Sequence, residues 1–204
     1  MARPSQKPAI MDAALRCFAE LGYDATRVKH IAERAEVAES ALYRHFPSKE
    51  AIAQELFATF IARYAGRLSA IAEGPDDPRD KLLAVVQLIL DTYRAEPEAF
   101  VFAVVNTNRR LPALPPGTVY PMDVIESIVI EAQRAGRVRA GQSNLLASIL
   151  LGTVLQPVVL ATLGAPGALD LLGDLGLDEV IEQAALAALG AEAPSGQVSS
   201  GFSS

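Results

Sequence analysis

The chain has 204 residues, half of them apolar, with one cysteine, two histidines and a formal net charge of −6. That length allows one or two domains with a real core, and the composition excludes an internal disulfide framework and leaves too few histidines for a histidine-based metal site. The acid is unevenly placed: through Glu50 there are eight Lys or Arg against seven Asp or Glu, and beyond it ten against seventeen.

The first predicted element is a helix, because Ile10, Ala13, Ala14, Cys17, Phe18 and Leu21 recur at helical spacing as one apolar stripe. Gly22 stops it, since glycine takes the positive φ found just past helix ends. Cys17 lies on the stripe and reads as an inert core thiol rather than a redox sensor, which would need exposure and positive neighbours. Thr26 is expected to be the N-cap of the next helix, whose amides and positive dipole end would face a phosphate.

The segment VKHIAERAEVAESALYRHF, Val28 to Phe46, then spells two short helices joined by a tight turn. Val28, Ile31, Ala32 and Ala35 share a face, Val37 plugs the turn, and Leu42 and Phe46 continue the buried side of the second helix. Ala32 and Ala35 are small enough for close crossing, while Tyr43, Arg44 and His45 crowd the exposed end with phosphate-seeking groups. Such a pair suits a DNA major groove. His30 reads as a surface group, and Ser48 caps a long fourth helix whose first turn carries Lys49.

Residues Ile10 to Phe57 resemble the amino-terminal domain of the tetracycline-repressor (TetR) family. The resemblance rests on Ala14, Phe18, Gly22-Tyr23, Ala25-Thr26, Ile31-Ala32-Glu33-Arg34-Ala35, Val37, Leu42-Tyr43-Arg44-His45-Phe46 and Lys49-Glu50. It covers about a quarter of the chain and implies a homodimeric transcriptional repressor that leaves a palindromic operator when a small effector binds. The DNA-facing set is then Thr26, Arg27, Lys29, Glu39, Ser40, Tyr43, Arg44, His45 and Lys49, with Tyr43 and Lys49 expected on phosphates.

The chain departs from the family around the turn, where members usually carry glycine followed by serine or threonine. Here stand Glu36, which is expected in a strained left-handed conformation, and Ala38, an N-cap without a capping side chain. Glu39 replaces a frequent lysine. Its carboxylate either accepts from cytosine N4, adding base preference at the expense of affinity, or merely complements the helix dipole. The alternative reading is therefore a ligand-binding or protein-interaction module with a weakened DNA head.

Further along, Ile52, Leu56, Phe60, Tyr64, Leu68 and Ile71 mark the fourth helix, ending at Gly74-Pro75-Asp76-Asp77-Pro78. Helices near 79–95 and 97–110 follow, then a proline-rich loop over 111–121, a plausible lid or spacer, and a helix over 122–135 closed by Gly136. Leu82, Leu83, Val85, Val86, Leu88, Ile89 and Leu90 are apolar nearly all round, so their helix belongs in the middle of a bundle. Phe60, Tyr64, Tyr93, Phe100, Phe102, Asn106, Met122, Ile125 and Gln156 either line an apolar effector pocket or pack as ordinary core.

Leu145 to Leu163 carries no charge, but Ser148, Thr153, Gln156 and Pro157 interrupt it. We read it as an interface helix kinked at Pro157 rather than a membrane span. A last helix over 177–189 places Val180, Ile181, Ala184, Ala185 and Ala188 on a face suited to close packing, and the two segments are expected to form a four-helix interface across a twofold axis. After Gly190 the Ser/Gly-rich tail has nothing to bury and is expected to be disordered.

The expected architecture is all-α: a three-helix, helix-turn-helix DNA-binding domain over 1–50 (reading motif about 27–46), a helical effector-binding and dimerisation bundle over 51–190, and a tail over 191–204. No Gly-rich phosphate loop, metal-ligand cluster or nucleophile-and-base pair is visible, so neither an enzyme nor a cofactor is expected. The start lacks a secretory pattern, which points to the cytoplasm.

Overall fold

The computed structural model describes residues 5–105, 117–162, 170–171 and 173–191. Among these every regular element is helical: α1 (Lys7–Leu21), α2 (Val28–Arg34), α3 (Glu39–His45), α4 (Lys49–Glu73), α5 (Pro78–Ala95), α6 (Pro97–Phe100), a π-helical segment (Val101–Val105), α7 (Pro121–Arg134), α8 (Ser143–Thr162) and α9 (Gly176–Ala188). The chain divides into two compact units, residues 1–66 with 92–120 and residues 67–91 with 121–204.

In the first unit, α1 buries Ile10, Ala13, Ala14, Cys17 and Phe18, the stripe its spacing predicts. Leu21 departs from it: in the last turn, beside the Gly22 cap, it is 48% exposed. Helix α1 packs on α2, on α6 and on the π-helical segment, where Phe102 stacks on Phe18 with ring centroids 5.4 Å apart. The helix expected over 97–110 is thus a single α turn followed by a π turn, and residues 106–110 lie outside the described chain. Lys7 adds a brace, pairing with Glu55 at 2.6 Å and sitting over the Phe46 ring at 5.4 Å.

Ile31 and Leu42 are both fully buried and hold the short helices α2 and α3 together. Helices of seven residues are marginal alone, so this packing rather than propensity keeps them. Truncating Leu42 to alanine would cost about 2–5 kcal/mol. Their connection is a Schellman motif: the Val37 N–H donates to Ala32 O at 3.0 Å and the Glu36 N–H to Glu33 O at 3.2 Å. That motif needs a left-handed residue, and Glu36 takes it at φ 54°, the only non-glycine with positive φ among the described residues.

The second unit uses the same motif twice with glycine in the strained place. Gly136 closes α7, with Arg137 N–H on Ala132 O at 2.8 Å, and Gly190 closes α9, with Ala191 N–H on Leu186 O at 3.0 Å. Helix α8 packs against α7 and α9, burying Leu146, Ala147, Leu150, Val154 and Val158 and running on through Pro157. It is the one helix among the described residues long and apolar enough, by length and composition, to cross a membrane. In α9 the small-residue face divides: Ile181 and Ala185 are buried, whereas Val180 and Ala184 are exposed. Lys81 is buried in this unit, donating to Ala72 O at 2.9 Å and to Glu131 Oε2 at 3.0 Å.

Replacing Glu36 with glycine removes the left-handed strain and is expected to stabilise the fold by about 1 kcal/mol. That raises the thermal midpoint by about 2–4 °C. Calorimetry on the two proteins measures it, and an unchanged or lower midpoint would show that the Glu36 side chain compensates its own backbone.

Candidate nucleic-acid interface

Helix α3 turns two sides outward in opposite senses. Ala41 and Leu42 face the core, while Glu39, Ser40, Tyr43, Arg44 and His45 are exposed. Tyr43 keeps half of its surface in solvent. Ala38 is the N-cap, at φ −69° and ψ 144° with no side-chain cap bond, as its side chain dictates. Glu39 is therefore the first helical residue, the position where a carboxylate meets the positive dipole end.

Helix α2 presents Arg27 and Lys29 beside it. Both are exposed, and Lys29 lies 3.7 Å from Glu33 one turn on. Arg27 and Arg44 make no ion pair within 4 Å among the described residues, so their charge is available to an anion. The N-cap of α2 is Arg27, not Thr26. His30, half-buried, accepts the Arg27 N–H through Nδ1 at 3.3 Å, the part that a Glu or Gln three residues past the N-cap plays in a capping box.

Thr26 has a different job from the expected one. It is 1% exposed, and its hydroxyl sits 2.7 Å from Gly22 O and 3.0 Å from Cys17 O, in the turn that follows α1. A buried hydroxyl needs a hydrogen-bond partner, and the backbone at the end of α1 supplies it. The neighbouring Cys17 thiol is buried, and desolvation pushes its pKa up, consistent with an inert core group.

Lys49, expected on a phosphate, points into the same turn. Its Nζ donates to Tyr23 O at 2.7 Å, Thr26 O at 2.8 Å and Asp24 O at 3.4 Å, and stands 4.4 Å from the centre of the Tyr23 ring. Ser48 does cap α4, accepting the Ala51 N–H at 3.3 Å. Glu50 accepts from the Tyr23 hydroxyl at 3.4 Å, and hydrogen bonds, from its own backbone first and then from Ser48, hold its carboxyl below the usual range. Sequence spacing gives no sign of this clamp, because Lys49 and Tyr23 are far apart in the chain.

The residues proposed around an effector fall into separate places. Phe60, Tyr64, Tyr93 and Phe100 form one buried aromatic cluster in the first unit, with centroid separations of 5.9 Å (Phe60 to Tyr64), 6.3 Å (Phe60 to Phe100) and 5.8 Å (Tyr93 to Phe100). Arg63, paired with Glu96 at 2.5 Å, borders it over the Phe60 ring. Phe102 belongs instead to the Phe18 stack. Met122, Ile125 and Gln156 belong to the second unit, where Ile125 is buried, Met122 half-buried and Gln156 exposed on α8. Asn106 lies outside the described residues. Among the described residues no group of three or more His, Cys, Asp or Glu is placed to hold a metal ion.

Residues 10–56 match the family described as bacterial regulatory proteins, tetR family. That segment is a domain of the tetR family. The matched span lies within the first unit and runs from α1 through α2 and α3 into the start of α4. The chain is 30% identical over 111 residues to the HTH-type transcriptional repressor KstR of Rhodococcus jostii (strain RHA1), a match that spans half of each chain. Among solved structures, a putative fatty acid metabolism regulator of Clostridium perfringens is 24% identical with a TM-score of 0.72, covering 91% of this chain and 99% of that one. The regulator FadR of Bacillus subtilis, solved in complex with stearoyl-CoA, is 20% identical with a TM-score of 0.69, covering 89% and 98%. These two likenesses establish that the tetR-type fold, an amino-terminal helix-turn-helix domain and a carboxy-terminal helical domain, extends over the chain. The relatives are transcriptional regulators rather than enzymes.

Because Thr26 faces inward, Thr26→Val should act on stability, removing the hydrogen bond of its hydroxyl at about 1 kcal/mol. Urea unfolding with an unchanged m-value is the expected record. In the same protein the Cys17 thiol, slow toward an aromatic disulfide reagent when Thr26 is present, should react faster, and an equally fast wild type would contradict its burial.

Proposed function

We propose that the chain is a ligand-responsive, homodimeric transcriptional repressor that binds a palindromic operator and is released by a small, largely apolar effector. The observation that carries the reading is the outward face of α3, where Ser40, Tyr43 and Arg44 are exposed above a buried Ala41 and Leu42, within the span that matches the tetR family. Arg44, His45, Arg27, Lys29 and Tyr43 meet phosphates in this reading, while Glu39 and Ser40 address base edges. The Arg27 and Arg44 charges, free of ion pairs, support it.

A near-neutral head gives modest salt-dependent affinity, so tight binding requires two heads on successive major grooves, about 34 Å apart. The second unit offers a surface for that pairing. Leu145 and Leu160 on α8 are 54% and 44% exposed and Val180 on α9 is 63% exposed, apolar area that a second copy would cover. An effector that binds better to a shape with another head spacing then lowers DNA affinity by its differential binding to the two shapes. Helix α4, which contributes residues to both units, is the covalent link for that change. The repressor KstR supports repression, and the stearoyl-CoA complex of the fold neighbour FadR supports an apolar effector.

A second reading has its own observation: Glu36 strained, Ala38 uncapped and Glu39 acidic together describe a head of reduced affinity. Placing glycine, serine and lysine at these positions separates the two, since a sharp rise in DNA affinity from a near-zero baseline favours the weakened head.

The direct test is selection from a random duplex library at low and near-physiological salt. An enriched palindrome with half-sites about one helical turn or slightly more apart is expected. No enrichment from folded protein would overturn the reading. On the selected duplex, Tyr43→Phe should weaken binding about equally across sequence variants.

A further inference from the structure

We propose that Lys49 is a positioning residue of the reading head and not one of its phosphate contacts; the proposal rests on the DNA-binding reading above. An ammonium has three protons to donate. Lys49 Nζ has three backbone carbonyls within reach, those of Tyr23, Asp24 and Thr26, and the Tyr23 ring beneath it. Every donor is thus engaged inside the protein, through charge-assisted bonds that are stronger than neutral ones. The side chain is half-buried, unlike Arg27, Lys29 and Arg44, which are exposed.

The carbonyls it gathers belong to the connection from α1 to α2. From the other side the same connection is held by the Thr26 hydroxyl on Cys17 O and Gly22 O. Tyr23 is gripped between two groups, its ring 5.2 Å from that of Phe18 and 4.4 Å from the Lys49 ammonium. Lys49 is the first residue of α4. It therefore fastens the start of α4 to the residue immediately before Arg27, the N-cap of α2, and so fixes where the pair α2 and α3 stands on α4. Loss of this hold displaces the whole reading face at once, without removing any group that touches DNA.

The experiment compares wild type, Lys49→Met and Lys49→Arg as full-length proteins on the selected duplex, at a temperature where all three are folded by circular dichroism. For Lys49→Met affinity is expected to fall about tenfold with the slope of log K against log[salt] unchanged. Arginine, which keeps several donors and the charge, restores most of it. A slope shallower by about 0.9 per subunit would mean that Lys49 does neutralise a phosphate, and overturns the proposal. Full affinity in the folded methionine variant also overturns it, leaving a stability role alone. Amide exchange needs no DNA: the Thr26 and Arg27 amides should exchange faster in Lys49→Met and recover in Lys49→Arg, and unchanged rates would overturn the clamp itself. Failure of the wild type to bind any duplex is a different result, which refutes the DNA-binding reading rather than the clamp. If the methionine variant does not fold, Tyr23→Leu, which removes the ring under the ammonium while keeping the carbonyl, takes its place with the same expected slope.

Discussion

The turn from Gly22 to Arg27 is the constraint on which the head depends. It must reverse the chain between α1 and α2 and hold that short connection in one conformation. One hydroxyl and one ammonium meet that demand from opposite sides, Thr26 on Cys17 O and Gly22 O, and Lys49 on Tyr23, Asp24 and Thr26. Neither is an ordinary surface polar group, and both have been drawn inward from positions where a reading of the sequence would put them on DNA. In the proposed reading the face left for DNA is consequently narrower and built mainly from α3 and the start of α2.

Much of the head was legible. Helical spacing placed Ile10, Ala14 and Phe18 in the core, and Ile31 with Leu42 across the turn, because burial in an amphipathic helix follows from period alone. The left-handed Glu36 and the uncapped Ala38 were also legible, since both follow from what a tight turn asks of its backbone. Hydrogen-bond partners were not. Thr26 looks like an N-cap and Lys49 like a phosphate ligand when read locally; their real acceptors are carbonyls presented by another helix end, and no periodicity encodes that. The same limit applies to the aromatic residues: spacing says that Phe60, Tyr64 and Phe100 are inside, but only three-dimensional placement separates them from Phe102, which joins Phe18 instead.

The three Schellman closures form an internal comparison. Where the chain ends α7 and α9 it places Gly136 and Gly190, and where it ends α2 it places Glu36, in the same left-handed region. The strain at Glu36 is therefore confined to the turn that sets the angle between α2 and α3. Local stability has been given up at the proposed site of recognition while it is kept in the bundle, a pattern expected where function and folding make opposing demands on one residue.

The stack of Phe102 on Phe18 bears on how portable the head is. Helix α1 leans on α6 and on a π turn that the chain reaches only after passing through α4 and α5. Cutting after the reading motif would strip one flank of α1 and expose Phe18 to water. A chimera that grafts this head onto a foreign helical body thus needs a surrogate aromatic at the place of Phe102, so exchange of heads between regulators of this fold is conditional on what lies beneath the first helix.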